Sequence, residues 1–195
     1  MIRCILLDVH GVLTDGKERK RMIAQMARKY GMDRAKHNRM WVDSLKRLDF
    51  GVGTPKQYVN AVNEAFGTKF TVSRYYGFFL RNIVVNRELL RRLRNAGRIV
   101  VVSDNIAAVA PHLGALLGPE FRRFKKFYSY RYGKTKMRGL FKVVLRSIGC
   151  APDECVFIDD KVKKVRIARR LGIHAIRFKN NRQLFSEMRK YGIRI

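Results

Sequence analysis

Ile2-Arg3-Cys4-Ile5-Leu6-Leu7-Asp8-Val9-His10-Gly11 is an apolar run that stops at an aspartate and a glycine, the pattern of a buried strand leading into a turn. The same pattern returns downstream. Arg98 to Val102 enters Ser103-Asp104-Asn105, Cys155 to Ile158 enters Asp159-Asp160, and His174 to Phe178 precedes a last helical stretch. A further strand is expected near Phe124 to Tyr128. Between the first two runs the period becomes helical. From Lys17, Ile23, Met26, Ala27 and Tyr30 share a face and Gly31 ends it. The spacing predicts further helices over 34–48, 55–66 and 71–82, divided by Gly51-Val52-Gly53-Thr54-Pro55 and by Gly67. Asn86 is placed to cap a helix with Leu89, Leu90 and Leu93 inward and Gly97 behind it. Helices are also expected from 106 to about 117 and over 137–148. Strand and helix in this rhythm predict an α/β, Rossmann-like fold, a parallel sheet with helices on both faces. Residues 1–15 and 86–195 would form the core, and 16–85 a helical cap inserted after the first strand.

Charge sets the next constraint. The 195 residues carry 43 lysines and arginines against 15 aspartates and glutamates, a net charge of +28, with 47% hydrophobic residues. So apolar a chain is no disordered basic tail, and the charge must coat a folded body that attracts polyanions. Basic runs recur along the whole sequence, and Phe121 to Pro152 contains no acidic residue. The three cysteines, Cys4, Cys150 and Cys155, form neither paired metal motifs nor a disulfide framework, which fits the reducing cytoplasm. No apolar stretch reaches the roughly 18 residues of a membrane span, and no secretory leader is legible, so no membrane partner is expected.

The groups that carry chemistry lie at the carboxyl ends of the strands, where open parallel sheets place their ligands. Asp8 ends the first strand, Ser103 the second, and Asp159 and Asp160 the fourth, with Lys136 opening the helix before that one. Three carboxylates brought together repel, and are comfortable only around a cation. Oxygen-only ligands with an open face suggest Mg²⁺. A serine hydroxyl, a free N–H at a helix start and a lysine would together hold a phosphoryl group.

Four segments in order resemble the haloacid dehalogenase (HAD) superfamily, in its phosphatase-type branch with a helical cap. Leu7-Asp8-Val9-His10-Gly11-Val12-Leu13-Thr14-Asp15 is similar to the first family motif, Val102-Ser103-Asp104-Asn105 to the second, and Gly133-Lys134-Thr135-Lys136 to the third. Pro152 to Asp160, followed by Ala168 and Leu171 to Ile176, resembles the fourth and its sequel. The resemblance implies that Asp8 is the nucleophile, that Ser103 and Lys136 bind the phosphoryl group, and that Mg²⁺ sits on Asp8, the His10 carbonyl, and Asp159 or Asp160. It also exposes departures. His10 replaces the aspartate that serves as general acid and base, Met137 stands where proline is usual, and Lys164 where asparagine is often found.

Two functions compete on this reading. The first gives the charge priority and expects an RNA-binding protein, a ribosomal or ribosome-associated component contacting ribosomal RNA and neighbouring ribosomal proteins, with phosphatase activity reduced or lost. Its contact surfaces would be Lys17, Arg19, Lys20 and Arg21 on the cap, and Arg122, Arg123, Lys125, Lys126, Tyr128, Tyr130, Arg131, Lys134 and Arg138 on the core. The alternative is an active Mg²⁺-dependent phosphohydrolase that works through an aspartyl-phosphate on a nucleotide, sugar phosphate or nucleic-acid end, with Asp8, His10, Ser103 and Lys136 as catalytic residues.

Overall fold

Side chains alternate along a strand, so a strand buried on both faces must be apolar at every position. The computed structural model describes residues 1–194 and leaves out only Ile195, the last residue of the expected core. Its five strands are β1 (Cys4–Leu7), β2 (Ile99–Ser103), β3 (Lys125–Tyr128), β4 (Cys155–Asp159) and β5 (His174–Arg177). All neighbours are parallel, in the order β3-β2-β1-β4-β5. Ile5, Leu7, Ile99, Val101, Val156 and Ile158 pack into one core. Cys4, Leu6, Val100, Val102, Cys155 and Phe157 pack into the other. With β1 flanked by β2 and β4, the order of connection reverses beside β1, and Asp8, Ser103 and Asp159 come to lie at three adjacent strand tips.

Four helices make up the cap that follows β1: α1 (Glu18–Tyr30), α2 (Arg34–Leu48), α3 (Pro55–Phe66) and α4 (Val72–Arg81). Their ends follow local chemistry. Thr54 and Gln57 form a reciprocal capping box on α3, and Gly31 and Gly67 close α1 and α3 in the left-handed conformation. The interior of this cap is aromatic. Trp41 stacks on Phe79 with centroids 5.2 Å apart and meets Tyr58 edge-on at 5.9 Å, while His37 Nε2 lies 2.6 Å from the Tyr75 hydroxyl. Two linkers join cap to core. The Asp15 N–H donates to the Val84 carbonyl at 3.0 Å and the Asn86 N–H to that of Leu13 at 2.9 Å.

The remaining helices are α5 (Arg87–Arg92), α6 (Leu113–Leu117), α7 (Pro119–Arg123), α8 (Ser129–Tyr132), α9 (Leu140–Ile148), α10 (Val162–Arg170) and α11 (Asn181–Lys190). Leu89, Leu113, Phe121 and Leu184 cover the first core, and Phe141, Val144, Val165 and Ala168 the second. Two expected helices differ. The one from 106 to 117 is broken, with a single 3₁₀ turn at Ala110–His112 containing Pro111, which has no N–H to give. The one over 137–148 begins only at Leu140, behind Gly139 at φ +88°, so Lys136 sits in the preceding turn rather than at a helix start. Among the described residues, no helix is long and apolar enough to cross a membrane.

Candidate active site

The tips of β1 and β4 bring two carboxylates together, and a lysine fills the space between them. Lys136 Nζ lies 2.8 Å from Asp8 Oδ1 and 2.7 Å from Asp159 Oδ2, with its side chain completely buried. Such a cation is tolerable in the interior only because two anions face it. Asp8 Oδ1 also accepts the Val9 N–H at 2.8 Å, while its Oδ2 receives no hydrogen bond among the described residues. Burial alone would raise the Asp8 carboxyl, but Lys136, with Lys164 and His10, holds it well below the usual carboxylate range. Burial and then the charge of Asp8 act the other way on Asp159, pushing it up to about 7.

Asp160 stands beside this pair. Its Oδ2 is 2.5 Å from Lys161 Nζ, and its Oδ1 is buried without a partner among the described residues. Gly11, at φ +90°, makes room for it, because a Cβ there would fall 2.5 Å from the Asp160 carboxyl carbon. Asp8, Asp159 and Asp160 each offer an oxygen within 4.8 Å of the others. Three hard oxygens around an orphaned buried acceptor fit Mg²⁺. A cleft of about 550 Å³ reaches Asp160 from the linker side, between Thr14, Lys17 and Asn86.

The second and third expected motifs converge on the same spot. Ser103 is buried at the end of β2, its hydroxyl 3.5 Å from the Asp104 carbonyl. Asp104, which sequence reasoning passed over, ties three segments together. Its Oδ1 accepts the Lys136 N–H at 2.8 Å and its Oδ2 lies 3.0 Å from Lys164 Nζ. Lys164 therefore belongs to the site. Burial would lower it, yet Asp8, Asp104 and Asp159 outweigh that cost and raise it. Ser129, also missed, both accepts from and donates to the Asn105 backbone and so fixes the loop after β2.

His10 is held from the cap. Its Nδ1 is 2.5 Å from Oε1 of Glu18, a buried carboxylate whose Oε2 has no partner among the described residues. Its Nε2 faces the Asn105 amide nitrogen at 3.4 Å, and Phe79 of α4 meets the ring edge-on at 5.7 Å. No sequence signal marked Glu18, which lies within a basic run, and only the packing of α1 over the first turn identifies it.

Comparison with known proteins follows from this geometry. The family model for haloacid dehalogenase-like hydrolases matches residues 2–172. No match was found among the curated proteins. Among solved structures, a HAD family enzyme from Bacteroides thetaiotaomicron in complex with magnesium and inorganic phosphate is 21% identical, with a TM-score of 0.78 over 95% of this chain and 100% of that one. A HAD-like family hydrolase from Porphyromonas gingivalis is also 21% identical, with a TM-score of 0.74 and 98% of each chain covered. The L-2-haloacid dehalogenase from Xanthobacter autotrophicus is 14% identical, with a TM-score of 0.67 over 100% and 85%.

These matches overturn the expectation of a ribosomal RNA-binding component with lost activity. The family is one of hydrolases, the neighbours are enzymes, and nothing in them points to a ribosome. Net charge misled because it counts side chains without asking what they hold. Arg21 forks onto Asp15 at 2.6 and 2.8 Å and also bonds the Asn82 carbonyl. Lys126 donates to the carbonyls of Arg122 and Phe124. Tyr128 is buried at the end of β3 against half-buried Tyr130, their rings 6.2 Å apart. Lys17, Lys20, Arg122, Arg123, Lys125, Arg131, Lys134 and Arg138 are exposed and Arg19 half-exposed.

Proposed function

Because the chain belongs to the haloacid dehalogenase-like hydrolases, we propose that it is a Mg²⁺-dependent phosphohydrolase that cleaves phosphate monoesters through a phosphoryl group carried on Asp8. The observation that carries this reading is the Asp8–Lys136–Asp159 contact, which keeps one carboxylate ionised at the meeting point of three strand tips. An aspartate is a weak nucleophile unless it is ionised, and Lys136 favours the ionised form of Asp8. Asp8 attacks phosphorus through a carboxylate oxygen and the ester oxygen leaves. Water then attacks the same phosphorus, and phosphate departs from Asp8. Ser103 and Lys136 bind the phosphoryl oxygens and take up the charge that develops on them. Asp8, Asp159 and Asp160 would hold Mg²⁺, which as a Lewis acid supplies further stabilisation of that charge when bound. Lys164 pairs with Asp104, and Asp104 in turn fixes the Lys136 backbone. Buried free thiols at Cys4, Cys150 and Cys155 support a reducing, cytoplasmic setting.

The test is release of inorganic phosphate from a panel of nucleoside monophosphates, sugar phosphates and p-nitrophenyl phosphate, with and without Mg²⁺. Turnover by the wild-type chain that chelation removes supports the proposal. Halide release from 2-halo acids with no phosphate release from any ester would overturn it.

A further inference from the structure

His10 stands where a proton donor is needed, yet both of its ring nitrogens are turned to protein partners, Glu18 on one side and Asn105 on the other. The reaction read above still needs a proton for an alkoxide leaving group and a base for the water that follows. A different carboxyl group lies at the seam between cap and core. Asp49 caps the C-terminal end of α2, its N–H bonded to the Leu45 carbonyl at 3.1 Å. The residues after it are seated on the core segment that carries Lys136. Phe50 packs under the Arg138 guanidinium at 5.7 Å. Gly51, at φ +71°, presses its backbone against the Tyr130 carbonyl so closely that a Cβ would fall 2.5 Å from that oxygen. Asp49 is thereby pinned at the seam between cap and core.

The charged groups whose fields reach its carboxyl are those of the site. Asp104 repels its ionised form, and Lys164, Lys136 and His10 favour it. The carboxyl makes no side-chain hydrogen bond among the described residues, so a half-buried acid at this seam is left without a side-chain partner. We propose that Asp49, delivered by the cap, is the general acid and base of the reaction and does the work that the residue at position 10 gives up.

This rests on the phosphohydrolase reading. In the first step Asp8 forms a bond to phosphorus, the P–O bond to the alcohol breaks, and the Asp49 carboxyl proton passes to the departing oxygen. In the second the Asp49 carboxylate takes a proton from water as that water attacks phosphorus. The bond from phosphorus to Asp8 then breaks, which frees phosphate, the Asp8 carboxylate and a reprotonated Asp49. Burial, followed by the charge of Asp104, pushes the Asp49 carboxyl up to about 7, which suits a group that must give and recover a proton near neutrality. The arrangement couples chemistry to closure, because the acid reaches the substrate only when the cap is seated.

The leaving group separates this role from binding or packing. A p-nitrophenolate departs without a proton, whereas an alkoxide does not. Asp49→Asn should lower kcat/KM for an alkyl phosphate on the order of 10²–10⁴-fold and for p-nitrophenyl phosphate by only a few-fold. It should also remove the fall in alkyl-ester activity that the wild type shows above about pH 7. In the double variant His10→Asp with Asp49→Asn, an aspartate at position 10 should restore alkyl-ester hydrolysis at least tenfold over Asp49→Asn alone, a recovery that general destabilisation does not give. Equal losses on both esters, an unchanged pH profile, or no recovery in the double variant would overturn the assignment while leaving the phosphohydrolase reading in place. Failure of the wild type to hydrolyse either ester would overturn both.

Discussion

The core and the cap bury opposite kinds of side chain. Below the strand tips the core hides Asp8, Ser103, Lys136 and Asp159, and nearly every one is answered by a neighbour of complementary charge or hydrogen-bonding capacity. The cap hides Trp41, Tyr58, Tyr75, Tyr76 and Phe79, with His37 as the polar exception inside this aromatic cluster. A buried charge is costly unless paired, so the core site must be assembled as a set. Aromatic packing is forgiving of detail and strong in total, so the cap holds its shape while its helix ends are free to serve the site. Glu18 and Asp49 both lie at such ends, at the start of α1 and just past the end of α2.

Breaking the set in the core should have the largest structural effect. Lys136→Met leaves Asp8 and Asp159 facing each other across an apolar side chain, and stability should drop by about 3–5 kcal/mol, as when one partner of a buried pair is removed. Urea unfolding measures it, and added Mg²⁺ should recover part of the loss by taking the place of the lost positive charge. Trp41→Ala should cost about 3–4 kcal/mol through the cavity it leaves, but the loss should be confined to the cap. Hydrogen exchange should quicken over α2 to α4 while β1 and β4 stay protected. A small loss spread evenly over both regions would erase the contrast.

The polar exception sharpens it further. His37 is wholly inaccessible and its Nδ1 has no partner among the described residues. Burial lowers its pKa to about 4 from an ordinary 6.5, so the folded chain binds this proton less readily than the unfolded chain. Stability from this group is therefore intact above pH 6.5, falls as the pH drops from there to 4, and is fully lost below, at most about 3 kcal/mol in all. His37→Gln should flatten that part of the urea midpoint against pH. The smallest effect is expected at the joint of the site, where Gly11→Ala would drive a methyl into the Asp160 carboxylate. Mg²⁺ affinity should weaken about tenfold, the low end of what misplacing a metal's supporting contacts costs, and calorimetric titration reads it.

Much of the core was legible because its chemistry is fixed by periodicity. An apolar run ending in Asp8, Ser103 or Asp159 announces both the strand and the place where the side chain emerges. The doubled apolar pattern of β1 and β4 announces two covered faces. Lys136 was expected at a helix start, and its actual place in a turn has no periodic signature. The pairing of Asp104 with Lys164 was hidden because it depends on how far apart β2 and α10 settle in space. The cap's contributions were hidden more deeply. Glu18 reads as one acid in a basic run, and Asp49 as an ordinary residue at the end of α2. The basic exterior misled for the same reason, since a sequence counts charges such as Arg21 and Lys126 without recording the carboxylate or carbonyls that hold them.

The central claim is that Asp8 carries the phosphoryl group. It is tested most directly by quenching a single turnover in acid and measuring the mass of the intact chain and its peptides. The account predicts a mass increase of one phosphoryl group on the peptide containing Asp8, formed with Mg²⁺ present and absent in Asp8→Asn, whose hydrolysis should fall on the order of a thousandfold or more. Phosphate release that persists undiminished in Asp8→Asn, or an adduct on any other residue, would contradict it.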